Sequence, residues 1–253
     1  VGAETLSYSG ATSSSKDVAE SGKYIDAIVL EDALDGSGGL ASNYQLPSLN
    51  ALNAPVIINP KTVNLSASRI YDGSEILSGT DVSISTGITG ENLGYSGATV
   101  SSKDVAVSDK FIDAIVLEDA IDGSGGLASN YQLPSLNVSN APVSISTKEV
   151  GLSASRIYDG SKILSGADVS ITTGVGVETL SYSGGSASSK DVVVSGKYID
   201  AIVLEDGLDG SGGLASNYHL PSLDALNAPV TISQKMVGLS ASKIYDAGVG
   251  LAG

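Results

Sequence analysis

Alternation of apolar and polar residues predicts β-strands along most of this chain. Between Val63 and Tyr71 the residues alternate between two faces. One face includes Leu65 and Ala67, and the other includes Asn64 and the serines. A period of two residues is the spacing of a strand, and the Asp72-Gly73 pair that follows is a turn signal. We see no convincing helical period of 3.6 residues, and the pattern therefore predicts an all-β fold.

The same reasoning predicts further strands, at Asp81–Ser85, Leu93–Ser96, Lys103–Val107, Lys110–Glu118, Tyr131–Leu133 and Val143–Ser146. Apolar residues occupy both faces of Lys110–Glu118, which is typical of a central strand covered on both sides. A short helical turn is expected within Gly125–Tyr131.

The pattern repeats with a fixed period. VNLSASRIYDG at Val63–Gly73 returns as VGLSASRIYDG at Val150–Gly160 and as VGLSASKIYDA at Val237–Ala247, each time 87 residues later. A constant period of this kind indicates a tandem array of small units. We predict tandem β-sandwich modules of about seven strands, Ig-like in the first instance, with a β-grasp-like sheet as the alternative.

The repeat also places the predicted module boundaries. Residues 61–147 and 148–234 form complete modules, residues 1–60 form an incomplete module without its first strands, and residues 235–253 carry an orphan first strand and a tail.

Differences between the copies predict which side chains face solvent. Ile57, Ser144 and Thr231 occupy equivalent positions, whereas the flanking positions, such as Val143 and Ile145, stay apolar in every copy. The middle position is therefore expected to face solvent and its neighbours to face the core.

Charge and composition exclude several classes of function. The net charge of −15 disfavours binding to nucleic acid or to anionic lipid, and the absence of Cys excludes disulfides. No apolar run approaches the roughly 20 residues of a membrane helix. With a single His and no nucleophile motif, the repeats are unlike a catalytic domain, and we expect no enzymatic activity.

Acidic, Gly-rich loops are the best candidate sites for a ligand. Their carboxylates recur in every copy and offer the oxygen ligands that Ca²⁺ prefers, although the spacing is not that of an EF-hand. The alternative is a solvated acidic turn. The calcium candidates are Asp26, Glu31, Asp32, Asp35, Asp113, Glu118, Asp119, Asp122, Asp200, Glu205, Asp206 and Asp209.

The ordered motifs resemble the YDG-domain repeats of large bacterial surface and secreted proteins, including filamentous-haemagglutinin-like adhesins. The resemblance is carried by Ile70–Gly73, by the Ser-Lys-Asp-Val segment from Ser102, and by Ala128–Tyr131, and it spans essentially the whole chain. Ala247 departs from the pattern, since it replaces the turn glycine. The resemblance implies an extracellular bacterial array of adhesin or fibre type without catalytic activity.

The two ends of the chain suggest how such an array assembles. Residues 1–60 lack the YDG strand, and the strand at Val237–Tyr245 has no module after it. We hypothesise head-to-tail joining of copies, in which the strand pairs into the incomplete module of the next copy by donor-strand complementation. Its core-facing positions would be Val237, Leu239, Ala241, Lys243 and Tyr245.

Two alternatives stay open at this point. In the first, the chain is a window on a longer polypeptide, and the joint is then covalent. In the second, the modules act as a ligand-binding adhesin array that contacts glycans or other cells, rather than as a rod or filament.

Overall fold

The fold is all-β in the part of the chain that the computed structural model describes, residues 4–245 and 247–250. Four three-residue 3₁₀ turns interrupt the described strands, at Ala41–Asn43, Ala128–Asn130, Gly166–Asp168 and Ala215–Asn217. The described strands are β1 Ser7–Ser13, β2 Ile25–Glu31, β3 Lys61–Thr62, β4 Asn64–Ile70, β5 Val82–Ser85, β6 Gly94–Val100, β7 Ile112–Glu118, β8 Tyr131–Gln132, β9 Val143–Ser146, β10 Lys148–Glu149, β11 Gly151–Ile157, β12 Val169–Thr172, β13 Ser181–Ala187, β14 Ile199–Glu205, β15 Tyr218–His219 and β16 Val230–Ser233. Over these residues we find no helix of the length and apolarity required to span a bilayer.

A three-stranded sheet forms around the strand that the alternation predicts. In residues 61–147 the order is β5-β4-β9, and in residues 148–234 the equivalent order is β12-β11-β16. β11 runs antiparallel to β12 and parallel to β16, with Ala154 opposite Val230. Leu65 and Ala67 of β4 are buried while the intervening serines are exposed, because one face of the sheet covers the core.

A second element of each repeat is a two-stranded antiparallel ribbon, β6–β7 or β13–β14. β7 is therefore not the central, doubly covered strand that its composition predicts. Two register shifts interrupt the ribbon, one of them beside Gly97, whose φ of 58° suits glycine. These shifts break the alternation, so that Ile112 and Ile115 are both buried while Val116 stays exposed.

Most of the other predicted strands are confirmed. Segments at Asp81–Ser85, Leu93–Ser96 and Val143–Ser146 contain or overlap β5, β6 and β9, and the expected helical turn is the 3₁₀ turn Ala128–Asn130. The solvent-facing positions Ile57, Ser144 and Thr231 are exposed as predicted.

The strand predicted at Lys103–Val107 is wrong, because this segment is a turn. The equivalent turn one repeat later shows the reason. The buried Lys197 ammonium donates to the carbonyl oxygens of Val192 and Val194, at 3.2 and 2.5 Å, which curls the backbone around the lysine head group.

The core of the last complete repeat joins both elements. Leu152 and Ala154 of β11, Ile199 of β14 and Val230 of β16 lie in one buried cluster, and Tyr158 packs against it. Equivalent side chains in residues 61–147, such as Leu65 and Ile112, are also buried.

The chain divides into two compact units, and their boundaries differ from those of the predicted modules. The first compact unit runs to Arg69 and adds Glu75–Ser102 and Ser108–Ser144, and the second takes Ile70–Ser74 and Lys103–Val107 and continues from Ile145. Two tips of the repeat 61–147 are thus grouped with the repeat that follows it. The boundaries at 60/61, 147/148 and 234/235 stay predictions, and the outer ends of predicted domains 1–60 and 235–253 fall on residues outside the described range.

Candidate functional site: the joint between repeats

The acidic loops use their carboxylates to hold the loops themselves. Asp122 accepts hydrogen bonds from the Asn92 amide at 2.6 Å and from the backbone N–H of Ser124 at 2.9 Å. Asp119 accepts from the backbone N–H of Ala128 at 2.7 Å, and Asp113 accepts from the Thr99 hydroxyl at 2.6 Å. Equivalent bonds occur at the other copies of these carboxylates, Asp26, Asp32, Asp35, Asp200, Asp206 and Asp209.

The bonds of Asp122 and of its two copies stabilise the charged form of their carboxyl groups. Hydrogen bonds from the side chain of Asn92 and from Ser124 lower the pKa of Asp122 to about 2. Bonds from the side chains of Thr5 and Thr179 and from the loop serines lower the pKa of Asp35 and Asp209 to about 2 as well.

The calcium ligands predicted from sequence are not brought together. Among the described residues, no group of three or more acidic or histidine side chains is placed to hold a metal ion. Glu31, Glu118 and Glu205 each end a strand and are exposed. The calcium sites and the alternative of a solvated acidic turn both stay predictions.

The orphan strand is an exposed apolar segment. Leu239 and Tyr245 are 92% and 90% exposed, and Val237, Ala241 and Lys243 are exposed too. In the complete repeats the positions equivalent to Leu239 are Leu65 and Leu152, both only 5% exposed. Residues 234–245 form no described strand.

Residues 4–60 form fewer strands than the equivalent residues of a complete repeat. Segment 56–59 is equivalent to β9 yet forms no strand, and residues 44–45, equivalent to β8, form none either. In the complete repeat those two strands pair with β4 and β3, which have no counterpart in residues 4–60. Ile25 and Ile58 are accordingly only half-buried, whereas Ile112 and Ile145 are buried.

The second unit contains a joint in which Tyr71 meets the following repeat. The Tyr71 hydroxyl donates to Glu178 Oε1 at 2.8 Å, and the Tyr218 hydroxyl donates to Glu178 Oε2 at 2.7 Å. The two rings meet edge to face, with centroids 5.4 Å apart. Lys103 Nζ lies 3.5 Å from Glu178 Oε1. One carboxylate thus connects two phenols and an ammonium.

Burial and this carboxylate perturb the two phenols. Desolvation is the larger cause and the hydrogen bond to Glu178 the next, and together they raise the pKa of Tyr71 and of Tyr218 well above the usual value. Both hydroxyls therefore stay protonated as donors at neutral pH.

The turn after Tyr71 is built for the same contact. Gly73 has φ of 80°, and a Cβ placed there would lie 2.5 Å from the Val175 side chain. Glycine is thus required both by the backbone and by the close approach. At the equivalent Gly160 a Cβ would meet no described atom within 4 Å, and Ala247 adopts φ of 58° without a glycine.

An asparagine of the following repeat holds the second tip of the repeat 61–147, the segment Lys103–Val107. The fully buried Asn217 accepts from the Val105 backbone N–H at 2.8 Å through Oδ1 and donates to Asp104 Oδ1 at 2.9 Å through Nδ2. The amide thus satisfies one donor and one acceptor of the preceding repeat, where an unpaired buried amide would be costly.

The first unit contains the same clamp. Asn130 accepts from the Val18 backbone N–H at 2.7 Å and donates to Asp17 at 2.8 Å. The Tyr131 hydroxyl donates to Glu91 Oε2 at 2.6 Å, and Lys16 Nζ lies 3.6 Å from Glu91 Oε1. The same bonds occur one period apart, which indicates that the joint is a specific contact between repeats.

Our sequence reasoning missed Glu91, Glu178 and the two asparagines as joint residues. A signal for the glutamates is present: the copies read VGAETL, ITGENL and VGVETL, so Glu is kept while its neighbours change. A charged residue that is kept next to changing positions indicates a specific partner.

Matching grooves also occur in both complete repeats. A groove of about 660 Å³ is lined by residues that include Leu77, Val82 and Tyr95, and one of about 700 Å³ is lined by residues that include Leu164 and Tyr182. The Tyr95 hydroxyl is held by the Gly79 carbonyl oxygen at 3.1 Å, which fixes the ring along the groove.

In comparisons with known proteins, no family model, no curated protein and no solved structure matches this chain.

Proposed function

We propose that this protein is an extracellular structural repeat protein that forms a rod or filament on or from a bacterial surface. Its repeats are small β-sandwich modules of the YDG type, joined end to end. Copies join head to tail, and the segment Val237–Tyr245 of one copy completes residues 1–60 of the next by strand complementation.

The recurring joint supports this proposal. The same asparagine clamp connects successive repeats at Asn130 and at Asn217, as a rod of repeats joined end to end requires. Burial of Val237, Leu239 and Tyr245 contributes about 1.5–3 kcal/mol for each fully buried apolar side chain. Backbone pairing would also satisfy an open sheet edge.

Sedimentation velocity and electron microscopy of the 253-residue chain test the proposal. We expect concentration-dependent head-to-tail oligomers that lengthen as the concentration rises. Leu239→Arg should abolish them, because a charge would enter the core position of the strand.

Ile244→Arg is the matched control. It lies in the same exposed segment, but its equivalents Ile70 and Ile157 stay exposed in the complete repeats, so assembly should persist. A wild-type chain that stays monomeric at high concentration, or a Leu239→Arg chain that assembles normally, would overturn the proposal.

A second candidate function is a ligand-binding adhesin array. The matching grooves beside Tyr95 and Tyr182 favour it, because each offers a phenol ring and backbone polar groups at the same place in each complete repeat. Screening the chain against immobilised glycans, with Tyr95→Ala/Tyr182→Ala as the comparison, separates this function from a purely structural one.

A further inference from the structure

Each complete repeat has a sheet edge beside its groove. β5 lies at one edge of the sheet β5-β4-β9, and β12 lies at the same edge of the sheet β12-β11-β16. The groove of about 660 Å³ is lined by residues that include Val82 and Ile84 of β5 and Tyr95 and Ser96 of β6. The groove of about 700 Å³ is lined in the same way by residues of β12 and β13. Strands of two different sheets thus border the same space in both repeats.

The register of β4 shows which backbone groups of β5 point away from their own sheet. Ala67 lies opposite Val82, but its N–H donates to the Pro142 carbonyl oxygen, on the β9 side, at 2.9 Å. Since the N–H and C=O of one residue share an edge of the strand, Ala67 and Val82 form a pair without mutual hydrogen bonds. The backbone groups of Val82 and of Ile84, two residues on, therefore point away from β4.

The second complete repeat has the same register. Ala154 lies opposite Val169, and its N–H donates to the Pro229 carbonyl oxygen at 2.9 Å. The backbone groups of Val169 and Ile171 therefore point away from β11, and both residues line the groove. An edge of this kind is a template for pairing with another extended chain.

The grooves combine an apolar lining with nearby negative charge. Leu77 and Leu164, each only 2% exposed, are among the lining residues. Asp122 lines the first groove, and Thr179, which lines the second, donates to Asp209 at 2.7 Å. The pKa of both carboxyl groups is lowered to about 2, because hydroxyl, amide and backbone groups donate to them. Both are therefore charged at neutral pH, in a chain of net charge −15.

We propose that each groove binds an extended, basic polypeptide segment by β-strand addition to the edge of β5 or β12. The proposal rests on the second candidate function, the ligand-binding array, and names the class of its ligand. Backbone groups at every second residue match the period of another strand, which a glycan lacks. Alternate apolar side chains of the segment contact the lining, and its Lys or Arg side chains lie near the aspartates.

Peptide binding tests the strand addition. The probe is a synthetic hexapeptide of alternating lysine and valine, titrated into the full 253-residue chain, with Kd measured by calorimetry. In an extended peptide the valine N–H groups lie on one edge and the lysine N–H groups on the other. N-methylation of one of these two sets should raise Kd roughly tenfold or more, and N-methylation of the other set less than roughly threefold.

Proline substitutions test the same edge from the side of the protein. Ile84→Pro/Ile171→Pro removes the outward N–H of each edge and leaves the bonds to β4 and β11 in place, so Kd should rise roughly tenfold. Ile84→Ala/Ile171→Ala is the matched control, because it keeps the N–H, and the rise should be roughly threefold or less. Circular dichroism checks that both variants fold, and the methylated peptides test the edge without any variant.

Charge variants test the preference for a basic segment. Asp122→Asn/Asp209→Asn should raise the Kd of the lysine–valine peptide roughly threefold, since it removes charge beside the grooves. Asp113→Asn/Asp200→Asn changes the net charge equally but alters β7 and β14, outside both groove linings, and should leave Kd unchanged. Equal effects of the two pairs would overturn the basic preference.

A parallel screen against immobilised glycans separates this proposal from the second candidate function. Glycan binding without peptide binding would overturn strand addition and leave the ligand-binding array standing. If neither binds, both are overturned. Peptide binding that responds equally to the two methylation patterns, or equally to the proline and alanine variants, would also overturn strand addition.

Discussion

Residues 4–60 and the repeat 61–147 share most of their sequence pattern, yet only the complete repeat forms all of its strands. β8 and β9 are present where β3 and β4 lie beside them, and the equivalent residues 44–45 and 56–59 are not strands. Ile112 is fully buried while its counterpart Ile25 is half-buried. Strand formation here thus depends on a partner from the start of the repeat more than on local propensity.

The two joints extend this comparison. Both hold the asparagine clamp, and in both the glutamate accepts a hydrogen bond from the tyrosine of its own repeat. In the second, the glutamate also accepts one from Tyr71 of the preceding repeat. The clamp therefore needs only the later part of the preceding repeat, whereas the contact of Tyr71 needs the first part of that repeat. The first three predictions below each perturb a position in a complete repeat together with its counterpart in an incomplete one, and the fourth concerns the tyrosines of the second joint.

The largest difference is expected for the joint tyrosine. Tyr71→Ala should destabilise the second unit by about 4 kcal/mol, because it empties a buried aromatic site. Tyr245→Ala in the monomeric Leu239→Arg background should change stability by less than about 0.5 kcal/mol, since the side chain is exposed. Urea unfolding monitored by circular dichroism measures both, and equal losses would contradict the comparison.

The core isoleucine should show the next largest difference. Ile112→Ala is expected to cost about 3 kcal/mol, and Ile25→Ala in the same monomeric background about 1 kcal/mol, because a half-exposed site loses less burial. Amide hydrogen exchange resolves the two regions separately. In assembled wild-type material the cost at Ile25 should rise toward that at Ile112; a cost that stays small would argue against strand complementation.

The clamp follows. Asn217→Ala should cost about 2 kcal/mol, since it removes the hydrogen bonds that the Asn217 amide makes with the Val105 N–H and the Asp104 carboxylate. Its counterpart Asn43 is exposed, and Asn43→Ala should cost less than about 0.5 kcal/mol in the monomer. Thermal unfolding of the two variants provides the measurement, and a loss of similar size at Asn43 would show that the side chain acts within its own repeat.

Alkaline pH should produce the smallest difference. The pKa of Tyr71 and of Tyr218 is raised in the folded chain, so their contribution to stability is complete below the unfolded pKa of about 10 and is lost as pH rises above it. The loss at pH 11 should be on the order of 1 kcal/mol per tyrosine. Tyr71→Phe should remove the part of this pH-dependent loss that Tyr71 causes. The same pH dependence in that variant would show that Tyr71 does not contribute to it.

Sequence alone predicts the parts of this fold that depend on local pattern. The alternation in Val63–Tyr71 predicts β4, and substitutions at the position of Ser144 predict its exposed face. The register shifts beside Gly97 break that rule for Ile112 and Ile115, since a shift depends on the partner strand. The turn at Lys103–Val107 was mistaken for a strand because the lysine that shapes it lies outside the segment.

The site is less predictable than the fold for the same reason. The orphan strand follows from comparison of the copies, whereas the joint pairs residues far apart, such as Val105 with Asn217. The acidic loops show a related limit of sequence reasoning: their carboxylates have the chemistry of metal ligands, but the Thr, Ser and Asn hydrogen-bond donors that engage them lie elsewhere in each loop or in a neighbouring strand.

The constant spacing of the clamp has a consequence for how the number of repeats can change. Asn130 reaches back 112 residues to Val18, and Asn217 reaches back the same 112 residues to Val105. Unequal recombination between copies adds or removes whole periods, and any crossover at equivalent positions restores this spacing on both sides. The length of such an array can therefore change from one generation to the next without breaking a single joint.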